Sequence, residues 1–163
     1  NPVEFAPFDA MTAEMMAQTM IELRLMYDYV VVSMPRAMVR WIEPVLARVD
    51  QFLLITDTSV TGIRQTRRLI DFYTEDNPGM PLEVVISKEK KPMSLPKSIK
   101  EAASFLDRPL DTWLPRDDKS ARKATDQGMP LVVCAKRSAM VKPVRQIVDR
   151  LQEIHASEKR RDA

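Results

Sequence analysis

The chain has 163 residues, of which 45% are hydrophobic and 29% charged, with a formal charge of +2. This is one domain's worth of core-forming sequence, too apolar for intrinsic disorder and too near neutral to point to nucleic acid as a partner. A single cysteine, Cys134, excludes an internal disulfide and a multi-cysteine metal site, and no stretch is apolar over the roughly 18 residues that a membrane span needs.

Asn1–Ala10 lacks the basic start and apolar middle of a signal peptide. The first residue is Asn and not Met, so we expect a piece of a longer protein. Ala13–Met26 has helical spacing, with Met16, Met20 and Leu23 on one face. The stretch Tyr27–Arg36, YDYVVVSMPR, then runs β-branched and ends abruptly at a small polar residue. Within it, Tyr29–Ser33 reads as a buried parallel strand. Met38–Val49 returns to helical spacing through Met38, Ile42, Val45 and Val49, and Phe52–Thr56, FLLIT, is a second apolar strand. Ser59–Thr74 is a helix with Ile63, Thr66, Ile70 and Tyr73 inward, and it stops before the turn Asn77-Pro78-Gly79.

Leu82–Ser87 is a third strand, followed by the polar loop Lys88–Pro96 and a helix over Ser98–Leu106. Leu110–Leu114 is a fourth strand, closed by Pro115. Asp117 or Asp118 caps a short helix through Asp126, with Gly128 as its stop. Ser138 opens a long last helix with Val141, Val144, Val148 and Leu151 as its stripe, and the tail 155–163 is expected to fray. Strands that alternate with helices give an α/β fold: a parallel sheet, helices on both faces, right-handed crossovers.

In such a sheet ligands sit outside the carboxyl ends of the strands, here Ser33–Arg36, Thr56–Ser59, Ser87–Lys91 and Pro115–Asp118. The phosphate-binding loop that normally completes a nucleotide site is missing. With only Gly62, Gly79 and Gly128 in the chain, neither GxxxxGK[ST] nor GxGxxG can be written. The lone His155 has no nucleophile at recognisable spacing, so a catalytic triad is not expected. Cys134, in the apolar run Leu131–Ala135, reads as a small packed residue, and the clusters Arg64–Arg68, Lys88–Lys91 and Lys159–Arg161 read as solvated surface.

YDYVVVSMPR resembles the switch strand and loop of the ParA/MinD-type P-loop ATPases, nearest to the CpaE and TadZ proteins of Flp/Tad pili, where the pattern is roughly YDYVVVDLPR. FLLITDTSVTGIRQTRRLID, LDTWLPRD and DQGMPLVVCAKRSAM match further elements of that family in order, so the resemblance covers most of Tyr27–Leu151. It implies a three-layer P-loop NTPase-like fold over residues 1–154, represented by its C-terminal portion, with the phosphate-loop portion absent. Carried over position by position, it makes Ser33, Pro35 and Arg36 the switch loop, Ser87 the adenine-contacting position, and Pro115 and Asp117 the base-side element. Arg64 matches an arginine after the Thr-Asp strand end.

Two letters depart from the pattern. Ser33 stands where the family has an Asp that holds magnesium-bound water, and a neutral hydroxyl is a poor partner for a hydrated dication. Ser87 replaces an Asn, losing the paired donor and acceptor of an amide. Pro115 serves equally as a strand terminator, and Asp117 equally as a helix cap.

The resemblance therefore implies ATP and magnesium in the full-length family and none for this chain alone, with no catalytic residue and no metal ligand in it. It also implies a homodimer, pilus or secretion machinery as partners, no nucleic acid, and a cytoplasmic protein at the inner-membrane face or cell pole with at most peripheral membrane association. The expected role is a degenerate or nucleotide-sensitive switch. Two other readings stay open: an active ParA/MinD-like ATPase of which this is one half, and an α/β interaction module that uses no nucleotide.

Overall fold

The chain folds as two compact units, Asn1–Val49 and Asp50–Ala163. The computed structural model describes residues 11–34 and 39–161. In the first unit, α1 spans Ala13–Met26 as its spacing predicts. Thr12 caps it, its side-chain oxygen accepting the Met15 N–H at 3.1 Å. Met20 is buried from this helix and meets Trp41 and Val45, with Met16, Val32, Met34 and Val39 packed around them.

The expected strand Tyr29–Ser33 is not formed. The segment carries neither helix nor strand and alternates in burial, Val30 and Val32 half-buried while Val31 is 92% exposed, and no ladder among the described residues pairs with it. Alternating β-branched residues dictate an extended chain with one apolar edge, whereas a strand also needs a neighbour's backbone groups, and no described residue supplies them.

The expected helix Met38–Val49 shrinks to α2, Ile42–Leu46. Pro44 is the reason: its ring clashes with the carbonyl four residues back, so a helix that contains it can begin no more than about one turn earlier. Met38 lies outside the described residues.

The second unit holds three parallel strands in the order β1-β2-β3: β1 Phe52–Thr56, β2 Leu82–Ser87 and β3 Thr112–Leu114. Phe52 aligns with Leu82 and Thr56 with Ile86, while Val85 aligns with Thr112 and Ser87 with Leu114. The fourth expected strand, Leu110–Leu114, is thus shortened. Leu110 is buried and spends its carbonyl on the Trp113 indole N–H at 2.7 Å, so ladder pairing starts only at Thr112.

Side chains alternate across the sheet, so Phe52, Leu54, Val84, Ile86 and Trp113 share one face, and Leu53, Ile55, Glu83, Val85 and Thr112 the other. On the first face lies α3, Val60–Glu75, which buries the expected Ile63, Thr66, Ile70 and Tyr73. The Tyr73 ring stands 5.0 Å from that of Phe52. Next to it α4, Lys97–Leu106, buries Ile99 and Leu106 and ends at Asp107 in the left-handed region, φ 52°. Arg67 is no mere solvated arginine: it pairs with Asp71 at 2.8 Å and donates to the Phe105 carbonyl at 3.2 Å, tying α3 to the end of α4.

The opposite face receives α7, Val141–Arg161. Among its described side chains Ile147 is buried and Val148 is exposed, so the stripe runs Val141–Val144–Ile147–Leu151 and differs from the expected one at a single position, Ile147 in place of Val148. Helical order continues through Arg161. Between β3 and α7 lie α5, Asp118–Gln127, stopped by Gly128 at φ 56° as its sequence predicts, and the short α6, Leu131–Cys134.

A charged group crosses this second face. Glu83, midway along the sheet, accepts from Arg150 at 2.6 Å, and Thr112 bonds to both side chains, 3.0 Å from the Arg150 guanidinium. A charge on a sheet face is costly unless paired, and α7 brings the pair.

Leu106 is fully buried and its neighbour Phe105 is 51% exposed. Leu106→Ala is therefore expected to cost about 3 kcal/mol and Phe105→Ala about 0.5 kcal/mol or less, read from urea midpoints at unchanged slope. Equal losses at the two positions would contradict this packing.

Candidate functional site

The polar ends of the three strands lie along one edge of the second unit. After β1 the chain turns through Asp57-Thr58-Ser59 into α3. Ser59 caps that helix by accepting the Gly62 N–H at 3.0 Å, while Asp57 accepts the Ser59 N–H at 2.9 Å and bonds its hydroxyl too. Gly62 leaves room for this arrangement, since a Cβ there would crowd the Asp57 carboxylate and stand 3.0 Å from the Asp57 carbonyl. The first turn of α3 thus already carries a carboxylate of its own.

Thr58 faces the next loop. Its N–H and hydroxyl donate to the two oxygens of Glu89 at 2.8 and 2.7 Å, a two-point clamp between the loops that follow β1 and β2. Lys88 makes this possible by adopting φ 65°, a left-handed conformation costly for a residue with a side chain. The Glu89 N–H in turn donates to the Leu114 carbonyl at 3.2 Å and ties in the end of β3. Nothing in the sequence marked Glu89, one of several charged residues in a polar loop; only the fold brings it to Thr58.

Ser87, half-buried, ends β2 opposite Leu114, and Pro115 is buried immediately beyond. Asp117 caps α5, accepting the Ser120 N–H at 3.1 Å, and also accepts the Ser138 hydroxyl at 2.6 Å from the turn before α7. The Ser138 hydroxyl, with the Ser120 bonds second, holds the Asp117 carboxyl below the usual carboxylate range. Ser138 also accepts the Met140 N–H at 3.2 Å.

The fold therefore brings Ser87, Pro115 and Asp117 to neighbouring strand ends. Ser33 belongs to the first unit, where it is exposed at the end of the extended segment. Pro35 and Arg36 lie outside the described residues. Arg64 is exposed on α3.

These groups make poor ligands for a nucleotide's phosphates. At the start of α3 the Gly62 amide is taken by Ser59 and the Ser59 amide by Asp57, whose carboxylate would repel a phosphate, and Thr58 is engaged by Glu89. Among the described residues no three His, Cys, Asp or Glu side chains converge as a metal site. The strand ends offer a hydroxyl, a proline ring and an ionised carboxylate, which is at most the base-side wall of a nucleotide pocket. A shallow groove of about 400 Å³ lies elsewhere, on the α7 face beside Leu53, Glu83, Ile147 and Arg150.

Known proteins share this arrangement. No family model matches the chain. It is 23% identical over 147 residues to the septum site-determining protein MinD of Synechocystis, a match covering 88% of this chain and 54% of that protein. The ParA family ATPase of Chlorobium tepidum superposes with a TM-score of 0.75 at 18% identity, over 88% of this chain and 59% of its own. MinD in the MinC:MinD cell division complex of Aquifex aeolicus gives 0.66 at 20% identity, over 86% and 60%. The fold is thus the α/β fold of ParA/MinD-type P-loop NTPases, and the chain spans about half the length of the curated relative it matches.

Two outcomes follow from the loop ties. Asp117 has a lower pKa folded than unfolded, so its stabilising contribution is complete above the unfolded value of about 4 and is lost as pH falls through the folded one. Asp117→Asn, which can still cap α5, is expected to flatten the stability–pH curve below about pH 4, read by urea unfolding at stepped pH. Separately, Glu89→Ala and Thr58→Val are each expected to cost about 1–2 kcal/mol and to couple by about 1 kcal/mol in a double-mutant cycle. Strict additivity would show the clamp to be absent in solution.

Proposed function

We propose that this chain is the C-terminal portion of an ATPase-type domain whose parent protein localises or assembles pili in the manner of CpaE and TadZ. In this reading it is a degenerate, nucleotide-sensitive switch, a cytoplasmic homodimer that recruits secretion components at the inner-membrane face or cell pole. The observation that carries the reading is Ser33, a neutral hydroxyl at the end of YDYVVV where an ATPase of this type needs a carboxylate. Ser87, Pro115 and Asp117 form the base-side wall, and Pro35 and Arg36 continue the switch loop from Ser33.

The protein's own residues act by position here. Asp117, held ionised by Ser138 and Ser120, fixes the start of α5 to the turn before α7, and the Thr58–Glu89 clamp fixes the β1 and β2 loops. ATP with magnesium, bound by the parent, would supply the signal that the switch reads. A protein partner suits this class of fold, since a structural neighbour is a MinD solved together with MinC. No helix among the described residues is long and apolar enough to cross a membrane.

Sequence likeness to a MinD favours a second reading, in which the whole protein is an active ParA/MinD-like ATPase. Hydrolysis by the full parent protein separates the two. With Ser33 in place, magnesium-dependent ATP turnover is expected at or near background, and Ser33→Asp is expected to strengthen magnesium-dependent nucleotide binding. Robust turnover by the native protein would sink the degenerate-switch reading.

A further inference from the structure

Most polar side chains at the strand ends serve one another. Asp57 and Ser59 hold the start of α3, Glu89 takes Thr58 with both carboxylate oxygens, and the two oxygens of Asp117 accept from Ser120 and Ser138. Ser87 is different. It is the last residue of β2 and half-buried, and among the described residues its hydroxyl has no hydrogen-bond partner. Its backbone is in register with Leu114, whose neighbour Pro115 is buried and has no N–H to offer.

The chemistry of that hydroxyl bears on which base the wall can choose. Beside N7, adenine carries an N6 amine that donates, whereas guanine carries an O6 that accepts. A side-chain amide meets the adenine edge with an acceptor and a donor together, and it mismatches guanine, where both edge atoms accept. A hydroxyl has one proton that rotates to suit and two lone pairs, so it accepts from N6 or donates to O6 equally well. Guanine's own donors would call for an open carboxylate. Those of Asp117 and Glu89 are already engaged within the protein.

We propose that the strand-end wall at Ser87 takes adenine and guanine nucleotides alike, with Ser87 as the residue that sets this lack of discrimination. The inference rests on the reading of Ser87, Pro115 and Asp117 as a base-side wall and names the ligand class of that wall, a purine nucleoside triphosphate. It holds whether or not the parent hydrolyses the nucleotide.

The test is titration calorimetry of the full-length parent protein with ATP and with GTP, magnesium present. The two dissociation constants are expected to agree within about threefold. Ser87→Asn is expected to shift the ratio toward ATP by about tenfold or more, and Ser87→Ala to weaken both nucleotides by a similar factor. A preference of the native protein for either purine above about tenfold would overturn the inference while leaving the wall in place. A purine ratio that Ser87→Asn does not move would overturn it too. Binding of neither nucleotide would overturn the wall and the inference together. The two purines are compared on the unmodified sequence, so a poorly folding variant cannot obscure the result.

Discussion

A parallel strand with apolar residues on both sides can persist only if something covers each side, and β2 is such a strand. Val84, Val85 and Ile86 are all but fully buried in succession, which requires α3 and α4 below one face and α7 above the other. The helices are amphipathic for the same reason, with stripes at Ile63–Tyr73, Ile99–Leu106 and around Ile147. Because crossovers return every strand in the same direction, the loops after β1, β2 and β3 emerge together, and their polar residues become neighbours without any of them being close in sequence.

What those loops do with their polarity is mostly to satisfy one another. Carboxylates are the main agents: Asp57 on Ser59, Glu89 on Thr58, Asp117 on Ser120 and Ser138. Each sits where backbone N–H groups at a helix start or turn would otherwise lack partners. The edge is therefore ordered by its own charges, and carboxylates stand where a phosphate would approach.

Much of this was legible from residue order. The bounds of β1 and β2, a capping aspartate at Asp117 or Asp118, the Gly128 stop and the inward face of α3 all follow from local chemistry, and local chemistry decides them. Tyr29–Ser33 was misjudged because apolar alternation reports an extended chain and says nothing of a partner. The length of α2 departs from its helical spacing because of Pro44, and the α7 stripe was ambiguous because Ile147 at i+3 and Val148 at i+4 from Val144 both continue a helical stripe. The Thr58–Glu89 clamp was invisible: its partners are 31 residues apart and depend on a left-handed Lys88. Glu83 could have been noticed, since a carboxylate inside LEVVIS needs a cation somewhere later in the chain.

That cation comes late. Glu83 and Arg150 are separated by 67 residues, with α4, β3, α5 and α6 between them. On the ribosome the three strands are all complete before Arg150 is made, so for that interval the growing sheet shows a bare carboxylate and an uncovered apolar face. Docking of α7 is then the step that closes this face of the sheet. Until it docks, the nascent chain has reason to be shielded, and a ribosome stalled before it adds Arg150 would release a product with this face of its sheet unsealed.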